Sequence, residues 1–184
     1  MTKTDGSSYE GQWQKGKIYG QGVYRFEGDA YDGQWLDGLR HGQGTMREAD
    51  ESSYKGQWQQ DKQHGQGVRR WIDGAVYDGQ WQDGLRHGQG TMRRPDGTSY
   101  EGQWQQDKQH GHGVYRWVDG AVYDGQWEDG HMHGQGTLRE ADGSSHEGQW
   151  SKDEKHGQGV CRWPDGSVYE GQWEDDLRHM VRAP

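Results

Sequence analysis

A Tyr-x-Gly-x-Trp element recurs at Tyr9, Tyr31, Tyr54, Tyr77, Tyr100, Tyr123 and Tyr169, with His146 in the tyrosine place of the seventh copy. The first spacing is 22 residues and each later one is 23. A period of that length restricts the chain to a repeat architecture, in which one short supersecondary unit stacks on the next. A few residues after each tryptophan comes His-Gly-x-Gly, beginning at His41, His64, His87, His110, His133 and His156. The first copy has Tyr19-Gly20-Gln21-Gly22 instead, and the last, His179-Met180-Val181, has lost its glycines. A double period is superimposed, since copies ending Arg-Trp-x-Asp-Gly alternate with copies ending near Arg-Glu-Ala-Asp. Residues 1–184 are therefore expected to form a single array. Its copies start near 9, 31, 54, 77, 100, 123 and 146, and a partial final copy covers 169–184. Both ends fall inside repeats, which fits a piece of a longer array.

Composition taken alone points toward disorder: 27% of residues are apolar, mean hydropathy is −1.44 and the net charge is −9. Disordered chains, however, are poor in aromatics. Here 11 Trp and 10 Tyr occur at regular places among 33 Gly. A large aromatic buries roughly 150–250 Å², so a few per copy supply a thin aromatic core. The residues of Tyr-x-Gly-x-Trp are two apart and share one face of a strand. Intervening residues such as Glu101 and Gln103 face the other way. Gly-x-Gly is expected to open a second strand, on which Tyr115 and Trp117 share a face. Asp119-Gly120 and Asp142-Gly143 supply turns into the next copy. The expected fold is all-β, an elongated twisted antiparallel ribbon of tandem ~23-residue hairpins with open ends. Pairing Tyr100 with Trp117 would place Glu101 opposite Arg116. The same register would give Arg25, Arg47, Arg70, Arg93, Arg139 and Arg162 acidic partners in every copy except that of Lys55, a rung of ion pairs on the outer face. The glycine of Tyr-x-Gly-x-Trp is expected to make room for an aromatic of a neighbouring strand.

The run Tyr100-Glu101-Gly102-Gln103-Trp104 followed by His110-Gly111-His112-Gly113 resembles the MORN (membrane occupation and recognition nexus) repeat, and the resemblance extends over nearly the whole chain. It implies an elongated antiparallel β-ribbon, homodimerisation through the C-terminal repeats, and work as a scaffold near cytoskeleton or membrane. Departures are His146, Asp in place of Gly at Asp61 and Asp107, and the degraded last copy.

No set of acid, base and nucleophile occurs once, so no enzyme is expected, and no cofactor. The histidine column is expected to be structural, bonding turn backbone; its members, about 10 Å apart, are too far from one another to share a metal. Cys161 stands at a packing position and, as a single cysteine, suits a reducing, cytoplasmic compartment. The acidic balance disfavours nucleic acid. It also weakens an alternative reading, a phospholipid-headgroup binder or the regulatory array of a lipid kinase, for which Arg40, Lys62, Arg86, Lys108 and Lys155 would line one edge. A glycan binder ranks lower still. The favoured expectation is a scaffold for protein partners and self-assembly. Tyr115, Trp71, Trp117 and Trp163 are its accessible aromatics, and Tyr169, Trp173 and Leu177 its dimer edge.

Overall fold

The computed structural model describes residues 6–178. They form sixteen strands and, among the described residues, no helix. Two compact units divide the chain, one ending at Pro95 and the other beginning at Asp96. The first holds β1 (Ser8–Gln14), β2 (Lys17–Phe26), β3 (Asp29–Leu36), β4 (Leu39–Arg47), β5 (Ser53–Gln59), β6 (Lys62–Arg70), β7 (Val76–Gln82) and β8 (Leu85–Arg93). The second holds β9 (Ser99–Gln105), β10 (Lys108–Arg116), β11 (Val122–Glu128), β12 (His131–Arg139), β13 (Ser145–Ser151), β14 (Glu154–Arg162), β15 (Val168–Glu174) and β16 (Leu177–Arg178). Within each unit consecutive strands pair antiparallel, so spatial order equals chain order. The degraded His179-Met180-Val181 lies outside the described residues.

Two turn chemistries alternate. Inside each copy a two-residue turn has both residues at positive φ, as in Asp83 (53°) and Gly84 (89°), the mirror-image turn that matches strand twist. Asp61, Asp107, Asp153 and Asp176 replace glycine at the second position and still adopt φ of 64–72°. Their carboxylates explain the substitution. Asp61 Oδ1 accepts from the Arg40 amide at 2.8 Å, and Asp153 and Asp176 do the same to Met132 and Lys155. Asp61, Asp153 and Asp176 thereby tie their turns to those of the preceding copies. Most copies join through a longer loop, such as Trp117 to Ala121, closed by the Trp117 amide donating to the Ala121 carbonyl at 3.0 Å. Asp119 accepts from the Ala121 amide, and Gly120 takes φ 94°.

The register differs from the expected one. Tyr100 faces Tyr115, Glu101 faces Val114, and Arg116 faces Ser99, so the expected rung of Glu101–Arg116 ion pairs does not form by direct pairing. Arg25, Arg47, Arg70, Arg93, Arg139 and Arg162 likewise face Ser8, Ala30, Ser53, Val76, Val122 and Ser145. The tight turn and a bulge together set this register. His110 pairs with Gln103 and Gly113 with Gly102, leaving Gly111 and His112 as extra residues on β10. Gly-x-Gly therefore lies inside the second strand rather than opening it. Gly111 adopts φ 58°, and the His112 amide freed by the bulge donates to Gln103 Oε1 at 3.0 Å.

One face of the strands carries the core. Tyr31, Tyr54, Tyr77, Tyr100 and Tyr123 are at most 2% exposed. Tyr31, Tyr54, Tyr100 and Tyr123 each sit edge-on to the tryptophan of their own copy and to that of the next: Tyr123 to Trp127 at 5.2 Å and to Trp150 at 5.5 Å. Such edge-to-face pairs contribute about 0.5–1.5 kcal/mol beyond area burial. The polar tips are satisfied, with the Tyr123 hydroxyl donating to the Gln126 carbonyl at 3.0 Å. Burial pushes the hydroxyls of Tyr31, Tyr54 and Tyr123 above the ordinary phenol range. The ring that lies over the glycine pair comes from the same strand as the first glycine. Tyr100 covers both Gly102 and the facing Gly113, where an added β-carbon would meet the ring Cζ at 2.5 Å.

Candidate interaction face

Beside the Tyr–Trp ladder, the second strand of each copy adds two columns to the same face. The first, opposite the tyrosines, is Tyr24, Met46, Arg69, Met92, Tyr115, Leu138 and Cys161. The second, two residues on, is Phe26, Glu48, Trp71, Arg94, Trp117, Glu140 and Trp163. At Arg69 and Glu48 the columns are charged and a salt bridge joins them.

Trp71, Trp117, Trp163 and Tyr115 are all half-buried, so none is a pure core residue and none stands free. Tyr115 and Trp117 form one cluster, with ring centroids 4.6 Å apart, and Tyr115 reaches Trp127 at 6.0 Å. At the adjoining loop tip Val118 is 72% exposed, and Ile72 beside Trp71 is 70% exposed. Trp71 has a different setting. Arg69 lies 5.9 Å from its ring and makes a bidentate pair with Glu48 at 2.7 and 2.6 Å. Trp163 lines an open hollow of 580 Å³ with Pro164, Asp165, Ser167, Val168 and Tyr169.

The first unit holds a hollow that the sequence reading passed over. It has a volume of 420 Å³ and is lined by Ile18, Tyr24, Phe26, Asp29, Tyr31, Trp35, Gly38, Arg40, Met46 and Asp61. A signal was present: the chain has one phenylalanine, and Phe26 stands where later copies carry Trp71, Trp117 and Trp163. Arg40 closes one side, its Nε donating to Asp61 Oδ1 at 3.0 Å and its guanidinium lying 4.3 Å from the Trp58 ring.

Of the edge residues, Trp173 is 4% exposed, wedged between His146 at 5.0 Å and Tyr169 at 5.2 Å. It serves the core and not an edge. Tyr169 is half-buried and Leu177 is 72% exposed. The turn cations are engaged by carboxylates of the following turn: Arg40 by Asp61, Lys62 by Asp83 at 3.9 Å, and Lys108 by Asp129 at 3.4 Å. Lys155 lies 5.3 Å from the Trp173 ring, and Arg86 lies 5.9 Å from that of Tyr77.

The histidine column does not bond the turn backbone through its rings; the glutamine of Gly-Gln-Trp does that work. Gln57, Gln80, Gln126 and Gln149 each accept from a bulge amide, as Gln103 does. The histidines contribute carbonyls instead, His64 accepting from the Tyr54 hydroxyl at 3.4 Å. Among the described residues no group of three or more His, Cys, Asp or Glu side chains is placed to hold a metal ion. Nor is any helix among them long and apolar enough to cross a membrane.

Comparison with solved structures finds a likeness to the TCP domain of SAS-4 (dCPAP) of Drosophila melanogaster, in complex with a proline-rich motif of Ana2 (dSTIL). It has 10% identity and a TM-score of 0.49, covering 84% of this chain and 85% of that one. No curated protein matches the chain. The family profile described as MORN repeat matches eight successive segments: residues 9–28, 31–51, 54–76, 77–99, 100–122, 123–145, 146–168 and 169–181. The tyrosine, paired glycines and tryptophan that build the ladder thus define its lineage, and the chain belongs to the MORN repeat family.

Proposed function

We propose that the chain is a non-catalytic scaffold that binds a protein segment along the ladder face, with its eight copies acting as one array. The observation that carries this reading is the half-buried Tyr115–Trp117 pair beside the exposed Val118. Large aromatics that keep accessible surface next to an aliphatic tip are the usual anchors of protein recognition. The MORN repeats support a scaffold or binding role in general.

Self-association through the C-terminal copies belongs to the same proposal, with Tyr169 and Leu177 as its contacts, as does a cytoplasmic place close to cytoskeleton or membrane. The phospholipid-headgroup reading has less support, because carboxylates already face Arg40, Lys62 and Lys108.

The test is proximity labelling in cells with the wild type and with a Tyr115→Ala/Trp117→Ala variant whose circular dichroism is unchanged. Loss of a defined set of labelled partners supports the reading. An identical set from both proteins would remove it.

A further inference from the structure

The spacing of 22 residues between Tyr9 and Tyr31, one short of the rest, changes the chain at one joint. Phe26 and Asp29 pair across a tight turn, with Glu27 and Gly28 at φ of 50° and 94°. The corresponding joint after Trp71 is a longer loop that runs to Ala75. The residue two before the ladder ring is small in every other copy, as in Ser52, Ala75, Thr98 and Ala121. At Asp29 it is a carboxylate.

Asp29 lines the 420 Å³ hollow of the first unit together with Tyr24, Phe26 and Trp35. Its Oδ1 accepts from the Ala49 amide at 2.9 Å, and among the described residues no donor reaches its Oδ2. The other charges of the hollow are turned to each other. Arg40 donates from Nε to Asp61 Oδ1 at 3.0 Å and from Nη2 to the Asp61 carbonyl at 2.9 Å. That pair cancels, so Asp29 leaves the walls one negative charge in excess, on a chain whose net charge is −9.

A spare carboxylate oxygen among aromatic rings has the chemistry of a cation receptor. The oxygen offers a charge-assisted hydrogen bond, and the rings attract positive charge through their quadrupoles. The number of free acceptors then selects among cations. Arginine engages a carboxylate best through a fork onto both oxygens, and the Ala49 amide already holds one of them. An ammonium is a compact charge that a single oxygen can take. Ile18 and Met46 add apolar wall for an aliphatic stem. We propose that the hollow receives a lysine side chain of a protein segment lying on the ladder face, its ammonium on Asp29 Oδ2 among the rings of Tyr24, Phe26 and Trp35. This contact rests on the protein-binding reading of that face and adds what the first unit selects.

The test is a titration of the full chain with the tripeptide acetyl-Gly-Lys-Gly-amide, followed by NMR at the Trp35 indole N–H and the Met46 methyl. Counterpart peptides carry norleucine or arginine at the centre, and choline is a further probe. The expected result is a saturable shift of both signals by the lysine peptide, with norleucine binding at least about tenfold weaker. Asp29→Asn keeps an oxygen for the Ala49 amide and removes the charge. It should melt like the wild type and weaken the lysine peptide at least about tenfold. The Tyr115→Ala/Trp117→Ala variant should bind the lysine peptide as the wild type does, so this site and the partner set read at Tyr115 and Trp117 can fail separately. No saturable shift, norleucine binding as tightly as lysine, or Asp29→Asn binding as tightly as wild type would overturn the site. Tighter binding of arginine or choline would overturn lysine as its occupant.

Discussion

The indole Nε1 of Trp127 donates to the carbonyl of Gly113 on the neighbouring strand at 3.1 Å. The same bond joins Trp35 to Gly22, Trp58 to Gly44, Trp81 to Gly67 and Trp150 to Gly136. It aims the polar end of each core ring at a backbone acceptor. Trp127→Phe keeps most of the packing and leaves that carbonyl without its donor, and should lower stability by about 1–2 kcal/mol. Trp127→Ala also opens a cavity beside Tyr100 and Tyr123 and should cost about 3–5 kcal/mol. Chemical denaturation of both variants checks the order; equal losses would show that the hydrogen bond contributes nothing.

Gly113 should tolerate no side chain. An alanine β-carbon there would lie 2.5 Å from Tyr100 Cζ and 2.6 Å from Cε2, and the ring is itself hemmed in by Trp104 and Trp127. Gly113→Ala should lower the unfolding midpoint severely, by about 3 kcal/mol or more. Gly97→Ala, with open space around its β-carbon, should cost only the strain of φ 92°. The two melting curves distinguish steric from conformational cost.

Glu51 holds a left-handed conformation, φ 72°, at the loop position filled by Gly74, Gly97, Gly120, Gly143 and Gly166 in later copies. Glu51→Gly should stabilise the first unit by about 1 kcal/mol, the usual penalty for a side chain in that region. A midpoint that does not rise would show that Glu51 makes a compensating contact.

His146 gives the chain an acid-sensitive point. Burial, with Lys155 adding repulsion and Asp176 acting the other way, holds its pKa at about 4 in the folded state against an ordinary 6.5. Because the folded value is the lower, the unfolded chain takes up the proton first. The stability owed to the neutral ring is complete above 6.5, declines as pH falls from 6.5 to 4, and is fully lost below that. The loss should approach about 3 kcal/mol. His146→Tyr should remove this component while other titrating groups act on both proteins alike. The quantity to measure is the difference in denaturation midpoint between wild type and variant, at pH about 7 and about 4.5.

Much of this architecture was legible in spacing. Tyrosine, glycine and tryptophan at alternate positions place themselves on one face whatever the register, so the ladder and the all-β class followed directly. The register did not, because it depends on two extra residues at Gly111 and His112 whose cost is met by the side chain of Gln103. A glutamine on the exposed face reads as solvated surface until the bulge is known. Asp61 posed the converse problem: it looked like a lapse from glycine and proved to be a link to the Arg40 amide. Of the candidate contacts, Tyr115 and Trp117 do come together, whereas Trp173 was lost to the core because its last-copy position hid its partner His146.

Trp35, Trp58, Trp81, Trp127, Trp150 and Trp173 each touch the ladder ring of the copy before, as Trp150 touches Tyr123. Recombination between such copies would rejoin like with like: an exchange that adds or drops a whole copy leaves a surviving tryptophan with a ladder ring before it and a glycine carbonyl beneath it. Loss of a single strand would instead turn the chain direction against its neighbours. Length in such a gene is therefore free to drift in whole copies, and selection on reach can act without renegotiating the core.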